Sequence, residues 1–192
     1  LETLAILKRC KRLFGLPPIN AAAFGIPAME SLAAADAPED EILARVLDAA
    51  ADGPVALATY GNPMVGTVAA HRLLDEGRRR GLTVHVANAV SALDGIWAQL
   101  SIDPFAGCQV RSASDLVQSD VVPDTRATLV LRAATANGGR LRDHLLRFYP
   151  ARHIVHIATA GPGLDSVLTS VSLGELAAVT RVVGSTLVVP AR

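Results

Sequence analysis

The residues best equipped for chemistry lie in two turns, each directly behind an apolar run of strand length. Tyr60-Gly61-Asn62-Pro63-Met64-Val65 closes the run from Pro54, and Asn88-Ala89-Val90-Ser91-Ala92 comes after Leu82 to Ala87. A tyrosine and a serine hydroxyl can orient a polar ligand, and turn backbone supplies further donors. Other arrangements offer less. Ala160-Gly161-Pro162-Gly163 lacks both the Gly-Lys-Ser/Thr of a phosphate cradle and a full GxGxxG, so it reads as a plain turn. No serine stands in a GxSxG nucleophile elbow. Of the five histidines only His153 and His156 are close, and three residues apart on a strand they face opposite ways. No metal site is therefore expected.

Composition narrows the classes further. At 192 residues the chain is one large domain or two small ones, long enough to bury a core without staples. Its 18 basic and 18 acidic side chains cancel, which argues against a nucleic-acid binder. With 51% apolar and 19% charged residues, a chain can bury enough surface to offset its ordering entropy. No apolar run reaches the roughly 18 residues of a membrane span, so no membrane partner is expected. Cys10 and Cys108 belong to no CxxC pair, which fits a reducing cytoplasm. Leu1-Glu2-Thr3-Leu4 opens helically rather than as a signal peptide, as though the chain began inside an element.

The elements that must position the two turns can be read from periodicity. Helices are expected over Leu1–Arg12, from Pro38 to about Ala51, Gly66–Arg80, Ala92–Leu100, Leu141–Tyr149 and Ser172–Ala178. Strands are expected at Leu13–Leu16, Pro54–Tyr60, Leu82–Ala87, Ala127–Ala133, His153–Thr159 and Ser185–Val189. Residues 19–37 read as loop with room for one short helix. Alternating strands and helices imply an α/β fold with parallel strands, whose ligands gather at strand carboxyl ends. Asp120 to Asp124, with Pro123, reads as a linker, and a subdomain boundary near residue 117 divides 1–117 from 118–192.

Taken in order, the two turns, Leu100-Ser101-Ile102-Asp103-Pro104, Gly107-Cys108-Gln109, Thr169 to Leu176 and Ser185 to Pro190 resemble the tetrapyrrole (corrin/porphyrin) methylase superfamily. The resemblance covers roughly residues 50–192, and weakly 1–16. It implies two α/β subdomains with S-adenosylmethionine in the cleft between them, within a homodimer, and no metal. Carried over by position, Tyr60, Gly61, Pro63 and Val65 form a wall beside the methionine part of the cofactor. Ser91 and Ala92 match a serine-containing turn on the ligand. Arg132 and Ala158 stand where second-domain strands reach it, and Ser172 with Leu173 matches a pair near the adenine.

This sequence departs from the family pattern in three places. The family's first strand and glycine-rich turn would precede Leu1. Asn62 replaces the usual Asp or His, and Asn88-Ala89 replaces Pro-Gly. Within the superfamily the stretch from Tyr60 to Gln109 looks most like two groups, the borosin-type peptide backbone N-methyltransferases and the methylase-like half of nucleotide-pyrophosphohydrolase fusions, and is closest in feel to the first. That likeness implies a peptide as methyl acceptor. A small-molecule acceptor such as a precorrin, or a binding module without turnover, stands as the alternative. The borosin group's arginines and tyrosines before the helix leading to Tyr60 have no counterpart in Glu30–Glu41. Tyr60 is thus the one candidate for a catalytic role in orienting the acceptor or handling its proton.

Overall fold

The computed structural model describes residues 2–16, 26, 29–32, 39–59, 61–133, 137–160, 166–178 and 185–192. By its contacts the chain parts into two compact units, Leu1–Ser91 and Ala92–Arg192. The first carries helix α1 (Glu2–Leu7), strands β1 (Arg12–Gly15) and β2 (Glu30–Ser31), helix α2 (Glu39–Ala49), strand β3 (Val55–Ala58) and helix α3 (Val68–Arg79). The strands form a parallel sheet in the order β2-β1-β3. Parallel strands need crossover connections, and α2 lies in the one that carries the chain from β2, past β1, to β3.

Helix α2 forms because Ile42, Leu43, Val46 and Leu47 make one apolar stripe while Ala44, Arg45 and Asp48 face solvent. That stripe packs on Phe14, Leu32 and Ala69. Each such buried side chain contributes about 1.5–3 kcal/mol. Helix α3 stops at Arg79, and Gly81, at φ +72°, comes after it as expected.

One expected strand is absent. Leu82–Ala87 joins no ladder among the described residues, although its side chains alternate between half-buried and exposed. Its apolar side lies on α3 instead. Leu82 N–H donates to the Gly77 carbonyl at 2.9 Å. Val84 comes so close to Gly77 that a Cβ there would lie 2.6 Å from Val84 Cγ2. The segment's half-buried side chains are packed although it pairs with no strand among the described residues. Helix α1 is also shorter than expected, because Arg12 already belongs to β1.

The second unit carries α4 (Ala92–Leu100), β4 (Cys108–Ser112), α5 (Ala113–Gln118), β5 (Thr128–Ala133), α6 (Gly138–Leu145), β6 (Ile154–Ala160), β7 (Ser166–Ser172) and β8 (Ser185–Val189). They build a five-stranded mixed sheet in the order β4-β5-β8-β6-β7. One face, with Leu129, Leu131, Val155, Ile157 and Leu187, packs on Leu116 of α5 and Leu141 and Leu145 of α6. The other face, with Val130, Ala158 and Val188, packs on Ile96 of α4.

Strands β4 and β7 escaped the periodicity reading, and both are edge strands. Edge strands tolerate polar side chains, and these two read Cys-Gln-Val-Arg-Ser and Ser-Val-Leu-Thr-Ser-Val-Ser. Both change the expected layout. Residues 92–117 belong with the second unit, because β4 pairs with β5 along its whole length. The expected helix at Ser172–Ala178 is a 3-10 turn over Leu173–Ala178 that begins where β7 ends.

Candidate functional site

In the first unit the chain leaves β3 and enters the turn at Gly61, whose φ of +75° is costly for any residue with a Cβ. Asn62 organises the rest of the turn. Its Oδ1 accepts from Met64 N–H at 2.9 Å, and its backbone carbonyl accepts from Val65 N–H at 3.0 Å. Its Nδ2 donates to the Ala89 carbonyl at 3.1 Å. Helix α3 holds the turn from the other side, where His71 Nε2 lies 3.0 Å from the Met64 carbonyl. A carbonyl only accepts, so Nε2 carries the hydrogen there. The structure thus brings Gly61, Pro63 and Val65 together with the segment that ends in Ser91. Ala92 opens α4 directly afterwards. Tyr60 lies outside the described residues, as do Gly161 to Gly163.

In the second unit, strands β4, β5 and β6 run the same way, and β7 and β8 run against them. The register sets Ser112, Arg132, Thr186, Ala158 and Leu168 side by side in one row, near the carboxyl ends of β5 and β6. Arg132 is exposed there, and Ala158 is buried. Arg132 and Ala158 are therefore one strand apart, with Thr186 between them. Thr186 was missed in the sequence. The signal available was a polar residue within the apolar run from Ser185 to Val189.

Ser172 and Leu173 lie elsewhere. Ser172 pairs with Ile154, four residues and about 13 Å along β6 from Ala158. Its hydroxyl donates to Glu175 Oε2 at 2.7 Å. Leu173 is fully buried among Leu141, Leu145 and Leu176, on the opposite face from Ala158. The physical cause is β7, which turns back antiparallel and carries Ser172 to the amino end of β6.

His153 and His156 also go separate ways. His153 Nε2 meets the Pro190 carbonyl at 3.0 Å, while His156 Nδ1 meets Ser170 Oγ at 2.9 Å. No group of three or more His, Cys, Asp or Glu side chains that could hold a metal occurs among the described residues. None of their helices is long and apolar enough to cross a membrane.

A profile of the family described as Tetrapyrrole (Corrin/Porphyrin) Methylases matches residues 1–185. The chain belongs to this family. Its members are methyltransferases, and their fold recurs in solved structures. One is uroporphyrin-III C-methyltransferase from Thermus thermophilus, complexed with S-adenosylhomocysteine. It is 18% identical at TM-score 0.74, over 98% of this chain and 89% of that one. Cobalt precorrin-4 methyltransferase is 13% identical at TM-score 0.71, over 99% and 87%. Diphthine synthase is 14% identical at TM-score 0.70, over 100% and 83%. No curated protein sequence matches the chain. At these identities the likeness shows the fold of the methylase alone.

The residues present fit S-adenosylmethionine on structural grounds. In the first unit Gly61 is small where β3 ends; in the second, taken by itself, Ala158 is small near the end of β6, Thr186 carries a hydroxyl and Arg132 an exposed cation. In the second unit small, polar and cationic groups in one row suit a ligand with an amino-acid carboxylate.

Proposed function

We propose that this methylase transfers a methyl group from S-adenosylmethionine to a backbone amide of a peptide. The observation that carries the cofactor half is the Asn62 bridge, which holds the Gly61–Val65 turn against the turn that ends in Ser91. When bound, the cofactor supplies an electrophilic methyl on a sulfonium.

The chain's own residues then have positional work. In the first unit Gly61, Pro63, Val65 and Ser91 are the residues assigned to the methionine part. In the second, Ala92, Arg132 and Ala158 are assigned to the cofactor, Arg132 as partner of a carboxylate. A displacement of this kind loses positive charge, so alignment and exclusion of water contribute most of the rate. An amide nitrogen must also lose a proton, and Tyr60 is the residue assigned to that step or to orienting the acceptor.

The peptide reading rests on charge. Corrin and porphyrin precursors carry several carboxylates, which need several Arg or Lys side chains. Residues 61–67 and 88–91 contain neither. In the dense basic stretch Arg78-Arg79-Arg80, two of the three side chains are engaged instead. Arg79 and Arg80 both pair with Glu76, and Arg80 lies 3.5 Å from Asp48. A tetrapyrrole acceptor is the second reading, favoured by the names of the neighbours with this fold.

The methylase is further proposed to work as a homodimer, because Phe105 is 98% exposed and Val110 and Val122 of the same unit are exposed as well. Light scattering at high micromolar concentration should give twice the chain mass. The deciding experiment supplies labelled cofactor with candidate peptides and with uroporphyrinogen or a precorrin. A peptide that gains mass in steps of about 14 daltons, one CH2 at a time, supports the reading. A tetrapyrrole methylated with every peptide unmodified overturns it.

A further inference from the structure

We propose that Asn62 is a positioning residue of the methylase site, acting as a two-sided amide clip between the turn after β3 and the turn before α4. The proposal rests on the cofactor reading above and adds the means by which the two turns are held in register.

The chemistry of the side chain makes the case. One face of the Asn62 amide accepts from Met64 N–H at 2.9 Å, and the other donates to the Ala89 carbonyl at 3.1 Å. Both partners are backbone groups with fixed roles, so they set the amide orientation. Accepting from the residue two positions on is the Asx-turn geometry, which shapes the turn locally. The bond to Ala89 is different in kind. It crosses 27 residues of sequence and joins one ligand-facing turn to the other.

Where the family pattern has Asp or His, Asn62 makes both of these bonds in this chain. An aspartate keeps the bond from Met64 N–H, but its carboxylate has no hydrogen for Ala89 and sets negative charge against a carbonyl. Alanine loses both bonds. An amide also takes up no proton near neutral pH, so Asn62 acts through geometry and not as a base.

Three measurements on the chain test this. The first is amide hydrogen exchange without cofactor. In Asn62→Ala, exchange should rise at Met64 and across 88–91 while α2 and the second unit keep their protection. The second is titration with S-adenosylhomocysteine at pH 8, where Asn62→Asp and Asn62→Ala should each bind about tenfold more weakly than wild type. Their unfolding temperatures without ligand should stay close to that of wild type.

The third measurement repeats the titration between pH 8 and pH 5. The gap for Asn62→Asp should narrow as its carboxyl begins to protonate and regain a donor, while that for Asn62→Ala should not. A purely structural role would not produce this pH dependence. Unchanged affinity in both variants overturns the proposal. So does a loss of affinity matched by global destabilisation, with no local rise in exchange. Failure of the wild type to bind either S-adenosylmethionine or S-adenosylhomocysteine overturns the cofactor reading. The exchange experiment, which uses no ligand, then still reports whether the clip exists.

Discussion

Arg132 and Leu173 were both candidates for cofactor contact, and their surroundings separate binding from packing. Arg132 is an exposed cation at the end of β5, so removing it leaves the core intact. Arg132→Ala should weaken S-adenosylhomocysteine binding about tenfold, as loss of a charge-assisted contact does. It should barely move the unfolding temperature. Leu173→Ala should do the reverse. The side chain is fully buried, so truncation should cost about 2–5 kcal/mol and leave the affinity of the folded protein unchanged. Calorimetric titration and denaturant unfolding on both variants distinguish the roles. A Leu173→Ala protein that folds normally and loses ligand would return Leu173 to the site. Arg132 entered as a candidate through the family resemblance, and the structure sets it as an exposed charge in the otherwise apolar stretch Thr128–Ala133. Leu173 was not legible, because its meaning depends on β7, whose serines and threonine conceal a strand.

At the scale of elements, the informative contact is between α3 and the segment behind it. Glycine inside a helix ordinarily costs about 1 kcal/mol relative to alanine, so Gly77→Ala would stabilise an isolated helix. Here the added Cβ would lie 2.6 Å from Val84 Cγ2. Valine is stiff about χ1 and cannot swing away cheaply, so Leu82–Ala87 must shift as a whole. Gly77→Ala should therefore destabilise by about 1–2 kcal/mol net, the overpacking strain exceeding the propensity gain. Adding Val84→Ala should recover part of that loss, a coupling that a double-mutant cycle measures directly. Additive effects of the two changes would show that the segment does not press on α3. The same contact explains why Leu82–Ala87 looked like a strand. Alternation records which side chains are buried, and helix α3 buries them as well as a sheet partner would. Elements with an apolar stripe, such as α2 and β5, were legible for the complementary reason. Their burial and their hydrogen bonding call for the same residues.

At the scale of the whole molecule, basic and acidic side chains balance, so no strong self-repulsion builds near neutral pH. Individual groups therefore shape the pH dependence. Arg147 beside Asp120 and Arg126 beside Asp124 hold both carboxyls below their ordinary range. Burial holds His156 below the usual imidazole value. In all three the unfolded chain binds more protons than the folded one, so their contribution is present above the unfolded pKa and lost as pH falls. On the alkaline side, burial pushes the Tyr149 hydroxyl and the Cys10 and Cys108 thiols up. There the folded chain holds the extra protons, and stability is lost as pH rises through the unfolded values.

The expected profile is a plateau between about pH 7 and 8, falling on both sides. The two acid steps should separate by mutation. His156→Gln should remove the decline just below about pH 6.5, while Asp120→Asn should leave that part and soften only the fall below about pH 4. Being exposed, the Asp120 pair should also fade as salt rises from about 0.05 to about 1 M, whereas the half-buried His156 should respond much less. Thermal unfolding followed by circular dichroism across this grid reads both effects. A His156→Gln protein with an unaltered decline around pH 6 would assign that step to another group.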